Sequence, residues 1–219
     1  MKICAATGNP GKLKELRRIL EAQGHQVLSQ KELALDLEPE ETGTTFAENA
    51  KIKAEALCKA SGLPTVADDS GLCVEALGGA PGVYSARYCG RHGDDEANND
   101  KLLAEMAEVP AGQRGAKFVS AVCLMLPDGR SLTCLGECPG RVAFERLAGD
   151  YGFGYDPLFI PDECGVPGGK RPNTEGRSYA QLTPDEKDAI SHRARALARL
   201  EEDLPHFLAD NATGGNETC

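Results

Sequence analysis

No block of lysines or arginines occurs in the 219 residues, and the formal net charge is −10. Duplex DNA and anionic membrane surfaces both reward clustered basic charge, so neither nucleic acid nor membrane is expected as a partner. There is no run of roughly 18 apolar residues and no signal-peptide pattern, which makes a cytoplasmic location the expectation. Nine cysteines are scattered from Cys4 to Cys219, yet no Cys-x-x-Cys pair exists. The closest spacing, Cys134 to Cys138, has no histidine beside it, which argues against a zinc site. Several thiols fall in apolar runs such as SAVCLMLP and SGLCVEAL, where they pack as small hydrophobes. Internal repeats and long linkers are missing as well. What remains is an ordinary globular composition, 41% hydrophobic and 26% charged. It is long enough for one sizeable domain or two tightly joined lobes.

A further absence concerns phosphate chemistry. The stretch AATGNPGKLKELRRIL, Ala5 to Leu20, sets Gly8, Gly11 and Lys12 between a short apolar run and an amphipathic pattern. The Walker fingerprint needs four residues between its glycine and the Gly-Lys pair, then Ser or Thr. Here two residues intervene and Leu13 follows Lys12. No kinase motif set is present either, so a phosphotransferase is not expected. A glycine pair after a buried strand nevertheless lets backbone N–H groups approach an anion, and the following helix N-terminus favours negative charge. A tight strand–helix turn with a solvated lysine is the plain alternative.

Periodicity outlines an α/β chain. Residues 2–6 read as a buried strand, and Leu13, Leu16, Ile19 and Leu20 recur at helical spacing from Lys12 to about Gln23, closed by Gly24. A short strand around Val27 follows. Thr45 and Glu48 form a capping box for a helix that ends at Gly62, and LPTVADDSG reads as a strand ending in two aspartates and a turn. Helix signals return between Asp94 and Glu108. Two antiparallel strands are expected around the turn PDGR, which makes the sheet mixed. The last helix is signalled by Thr183, Pro184 and Glu186, with Ile190, Ala194, Leu197 and Leu204 as its buried stripe. Between them, Glu163 to Ala180 is Gly/Pro-rich and reads as a surface loop. Residues 1–205 are expected to form the domain, and 206–219, with the sequons at Asn211 and Asn216, a flexible tail.

Four groups of residues have chemical promise. EPEETG places Glu38, Glu40 and Glu41 before a helix, and ADDSG places Asp68 and Asp69 at a strand end. Adjacent carboxylates are costly unless a cation neutralises them, and magnesium takes a few carboxylates plus phosphate oxygens and water. Solvated loop charges and an Asx turn are the alternatives. Arg87, in GGAPGVYSARY, is a candidate phosphate or protein contact. In YGFGYDP, Phe153 or Tyr155 could stack on a base, and plugging a lobe's core is an equally good reading. In EKDAISHRARAL, Lys187, Ser191, His192 and Arg193 lie near a helix start, where they cover phosphates or simply form a solvated face.

Taken in order, TGNPGKLKEL, EETGTTFAENAKIKA, ADDSGLCVEALGGAPGVYSARY, GFGYDPLF and LTPDEKDAISHRARAL resemble the inosine/xanthosine triphosphate pyrophosphatases of bacterial type, from residue 2 to about 204. The resemblance implies an elongated mixed-sheet α/β fold of two lobes with the site in the cleft between them, in a homodimer. It implies Mg2+-dependent cleavage of noncanonical purine triphosphates (ITP, dITP, XTP) to the monophosphate and pyrophosphate. It further implies that Thr7, Gly8, Asn9, Pro10, Gly11 and Lys12 hold the triphosphate. Glu40, with or without Glu41, and Asp69 serve the metal. Asp69 accepts the water proton with Asp68 assisting, and Ser70, Phe153, Gly154, Tyr155, Asp156, Lys187, His192 and Arg193 contact the nucleotide. The loop from about Cys164 to Arg177 is longer than is usual for the family and is a candidate lid. Hydrolysis of modified pyrimidine or standard nucleotides, or a non-catalytic nucleotide-binding module, are the alternatives.

Overall fold

The computed structural model describes residues 1–209. β1 (Lys2–Ala5) lies parallel to β2 (Gln26–Ser29) and, over Cys4 and Ala5, parallel to the start of β3 (Thr65–Val74). The rest is antiparallel: β3 pairs with β4 (Gly115–Met125), β4 with β5 (Ser131–Val142), and the end of β5 with β6 (Phe159–Pro161). The six-stranded sheet, in the order β2-β1-β3-β4-β5-β6, is therefore mixed as expected.

Strand alternation splits the core into layers. On one face Ile3, Ala5, Val66, Val122 and Leu124 pack under α1 (Pro10–Ala22) and α5 (His192–Ala209). On the other, Cys4, Ala6, Ala67, Ala121 and Cys123 pack under α2 (Phe46–Ser61). Farther along the same strands Leu72, Val74 and Phe118 join Phe159 and Tyr179 in a separate aromatic core. Asp68 and Ser70 sit on β3 between Val66 of the first core and Leu72 of the third, so a polar seam divides the two lobes.

The capping predictions for α2 hold: Thr45 and Glu48 close their box and Gly62 takes a left-handed conformation with φ of 68°. The helix expected from Asp94 is α3 (Asp95–Glu105), with the Asp94 side chain accepting from Ala97 N at 3.0 Å. Several expectations change. The strand in LPTVADDSG does not stop at the aspartates but continues to Val74, because Gly71 lets the chain run beneath another segment. A Cβ there would lie 2.4 Å from the Gly82 carbonyl and the Ser85 Oγ. The stretch Glu163–Ala180 is not simply a loop: β7 (Glu163–Val166) and β8 (Gly169–Pro172) form a hairpin, with Cys164 buried. The single last helix is two, α4 (Pro184–Asp188) and α5, since Ser191 Oγ accepts from Ala194 N at 3.2 Å and starts a new helix. Of the predicted stripe, Ile190, Leu197 and Leu204 are buried, whereas Ala194 is half-buried and Ala196 and Leu200 take its place. Residues 206–209, expected in the tail, continue α5, and Asn211 and Asn216 lie outside the described residues.

Candidate active site

A cleft of about 740 Å³ opens between the lobes. Its floor is β3, its near wall the β1–α1 loop, and its far walls the loop before β6 and the start of α5. Thr7, Gly8, Asn9 and Lys12 line it, but Pro10 and Gly11 do not. Pro10 occupies the first turn of α1, where its missing N–H is harmless, and Asn9 Oδ1 caps the helix from Lys12 N at 3.0 Å. Gly11 is closely packed, since a Cβ there would stand 2.6 Å from the Phe153 ring. Gly8 meets nothing and faces open space.

The two adjacent aspartates point to opposite faces of β3. Asp68 is buried and fully occupied. Its Oδ2 pairs with Lys12 Nζ at 2.9 Å and Arg193 Nη2 at 3.0 Å, and its carboxylate also accepts from Ser70 and Ser120. Burial alone would raise its pKa, but Arg193 and Lys12 outweigh that and hold the carboxyl well below the usual range. Asp69 differs. Only Oδ1 is engaged, by Lys53 Nζ at 3.1 Å, while Oδ2 is buried with no partner. Burial pushes its pKa above 3.8 against the pull of Lys53 and Lys12.

The remaining charges form a linked set. Lys187 Nζ lies 2.7 Å from Asp156 Oδ2 and 2.9 Å from Glu15 Oε1, and Glu15 also pairs with Arg193. Lys53 bridges Asp69 and Glu41 Oε1 (2.8 Å) and donates to the Asp68 carbonyl, and Arg87 reaches Glu41 Oε2 at 3.2 Å. Every cation of the cleft thus faces a carboxylate. His192 is buried against Phe118, and burial with Arg193 and Lys187 nearby drives its pKa well below 6.5, so it is neutral. Lys187 and Arg193, both at most 4% exposed, are not a solvated face.

The aromatic loop resolves its two readings residue by residue. Tyr155 is core: its ring is buried and its hydroxyl donates to the Ser85 carbonyl at 3.0 Å. Phe153 is half-exposed in the cleft, beneath Lys187 Nζ at 5.0 Å from the ring centre. The loop is anchored by Asp156 Oδ2, which accepts from Phe153 N, and by α3, whose Asp95 and Asn99 side chains bind Gly154 N and O at 2.9 Å.

Sequence reasoning passed over Glu15 and Lys53. Each is a charged residue set on the buried face of an amphipathic helix: Glu15 beside Leu16, and Lys53 between Asn49 and Leu57. That placement was the available signal, because such groups stay buried only when paired.

Among the described residues no three His, Cys, Asp or Glu side chains converge as a metal cage. Magnesium does not need one, since it takes one or two carboxylates with phosphate oxygens and water. The unpartnered Asp69 Oδ2 suits that role. Glu40, on the cleft wall with no hydrogen bond to its carboxylate, suits it better than Glu41, whose two oxygens are taken by Lys53 and Arg87. With every cation of the cleft already paired to a carboxylate, a polyphosphate also needs a counter-cation.

Residues 3–203 match the Ham1 family. The chain is 47% identical over 205 residues to the dITP/XTP pyrophosphatase of Haemophilus influenzae, covering 93% of this chain and 98% of that one. It is 46% identical to the dITP/XTP pyrophosphatase of Bacillus subtilis, covering 90% and 93%. Among solved structures it superposes on the Staphylococcus aureus Ham1 protein with a TM-score of 0.77 at 37% identity, covering 94% of this chain and 99% of that one.

Proposed function

Because the chain belongs to the Ham1 family, we propose that it is a nucleoside triphosphate pyrophosphatase acting on noncanonical purine nucleotides (ITP, dITP and XTP), releasing the monophosphate and pyrophosphate. The observation that carries the mechanism is Asp69, a buried carboxylate fixed through one oxygen and free at the other. In this reading a water attacks the α-phosphorus in line. Its proton passes to the Asp69 carboxylate, and the bond from that phosphorus to the β-phosphate oxygen breaks, so that pyrophosphate departs. A raised pKa makes Asp69 a better proton acceptor than an ordinary aspartate. Asp68, locked between Lys12 and Arg193, orients those cations and takes no proton.

Lys12 and the loop Thr7–Asn9 face the phosphates. Phe153 stacks on the base, and the same cleft is lined by His192 and Arg193, whose Nδ1 and Nε have no hydrogen-bond partner. A keto oxygen at purine C6 rewards a donor, whereas the adenine amino group leaves it unpaired, a mismatch that discriminates strongly. When bound by Asp69 and Glu40, Mg2+ would supply charge neutralisation of the polyphosphate and polarisation of the water. The resemblance further supports a cytoplasmic homodimer. Among the described residues no helix is long and apolar enough to cross a membrane.

The test is hydrolysis of ITP, XTP, dITP, GTP and ATP with magnesium, quantifying pyrophosphate and orthophosphate separately. Pyrophosphate from the first three with little from ATP is what the C6 contact predicts; little from GTP is expected from the family resemblance, because guanine carries the same C6 keto oxygen. Orthophosphate as the primary product would mean attack at the γ-phosphorus and overturn the mechanism.

A further inference from the structure

Helix α4 spans only Pro184–Asp188, a length that does not hold itself in water, yet it delivers Lys187 into the cleft. The two residues flanking Lys187 are both acidic, and each is gripped by an arginine from outside the cleft. On one side, Arg18 of α1 forks onto Asp188, with Nη2 to Oδ1 at 2.6 Å and Nε to Oδ2. On the other, Arg177, just after the β7–β8 hairpin, forks onto Glu186 at 2.8 and 3.2 Å. Neither arginine lines the cleft. The hairpin also sits under the helix: a Cβ on Gly165 would stand 2.4 Å from the Glu186 carbonyl oxygen.

We propose that Arg18 and Arg177 are positioning residues, a pair of bidentate clamps that fix α4 so that Lys187 meets Glu15, Asp156 and the nucleotide. The role at the nucleotide rests on the pyrophosphatase reading above. The guanidinium fork sets both distance and angle, which a lysine at either position could not do. The hairpin Glu163–Pro172 is then the foundation of α4 rather than a lid over the cleft. Lys187 stacks over Phe153 and touches the nucleotide away from the reacting phosphorus, so its displacement weakens ground state and transition state alike.

The test uses R18K and R177K, which keep the charge and lose the fork, beside R18A and R177A. Two readouts are taken on the intact protein: steady-state release of pyrophosphate from XTP, and the acetylation rate of Lys187 followed by mass spectrometry and normalised to the exposed Lys59. Each variant is expected to raise KM on the order of ten-fold with kcat changed by less than about two-fold. Lys187 is expected to be acetylated at least about five-fold faster than in the parent, because the clamps and the pairs they support are what bury it. Charge exchange in R18D/D188R should restore both. Unchanged labelling in all four single variants overturns the clamps. Faster labelling with an unchanged KM overturns their link to the nucleotide. Labelling requires no turnover, so it decides the first point even if none of the nucleotides is hydrolysed.

Discussion

Glu15→Gln isolates the residue that joins α1 to both cations of the far wall. The side chain is buried between Lys187 and Arg193, and glutamine keeps its shape while removing its charge. Burial by itself would raise the Glu15 pKa, but Arg193 and Lys187 reverse that and bring it from 4.5 down to about 2. A group ionised more readily in the folded than in the unfolded protein stabilises the fold wherever it is charged. The difference amounts to about 3 kcal/mol, which agrees with the roughly 3–5 kcal/mol lost when a buried ion pair is broken. For a chain of this length that lowers Tm by roughly 6–12 °C at pH 7. The sign with pH follows. The contribution is complete above the unfolded value of 4.5 and is lost as pH falls toward about 2. By pH 3 less than half of it, roughly 1–1.5 kcal/mol, remains. Urea unfolding of parent and variant at pH 7, 5 and 3 measures this directly. A gap that stays constant from pH 7 to 3 would show that the loss comes from packing, not charge, and would refute the reasoning.

Three other expectations accompany this one. Asp69→Asn should lower kcat by on the order of 10²–10⁴ while the variant still binds XTP and unfolds cooperatively; comparable turnover would remove Asp69 as the base. Phe153→Ala should weaken nucleotide binding by the roughly 1–3 kcal/mol of one stacked base, whereas Tyr155→Phe should leave KM unchanged and lower stability by about 1 kcal/mol through the lost bond to Ser85. Chelation of divalent cations should abolish turnover, restored by magnesium; undiminished activity in chelator would rule out the metal.

Much of the fold was legible because capping and turn chemistry is local. The Thr45–Glu48 and Thr183–Glu186 boxes and the turn PDGR each declare themselves within four residues. The errors arose where a distant segment decided the outcome. Whether β3 passes beyond its aspartates depends on Gly82 and Ser85, and whether α4 and α5 merge depends on what holds Ile190 inside. The same divide runs through the site. Asp69, Lys12 and Phe153 could be picked out as residue types with a chemistry. Which of Phe153 and Tyr155 faces the cleft, which of Glu40 and Glu41 is free, and that Lys187 is buried are all settled by partners 12 or more residues away. The cationic helix face offered to attract a polyanion turned out to be neutralised by Glu15 and Asp156, neither of which sequence reasoning had set against it.

The placement of Asp68 and Asp69 on one uninterrupted strand makes β3 a ruler. Ten consecutive residues from Thr65 to Val74 are paired one for one with Met125 to Ala116. Sliding that strand by one position would send Asp69 to the α1–α5 side, among Lys12 and Arg193, and Asp68 to the α2 side, facing Lys53. The chain would still carry the same residues in the same order, but proton acceptor and cation clamp would have exchanged duties. A change of length in this segment would therefore cost more than most single substitutions. Length variation in this architecture belongs to the turns, where no ladder counts the residues.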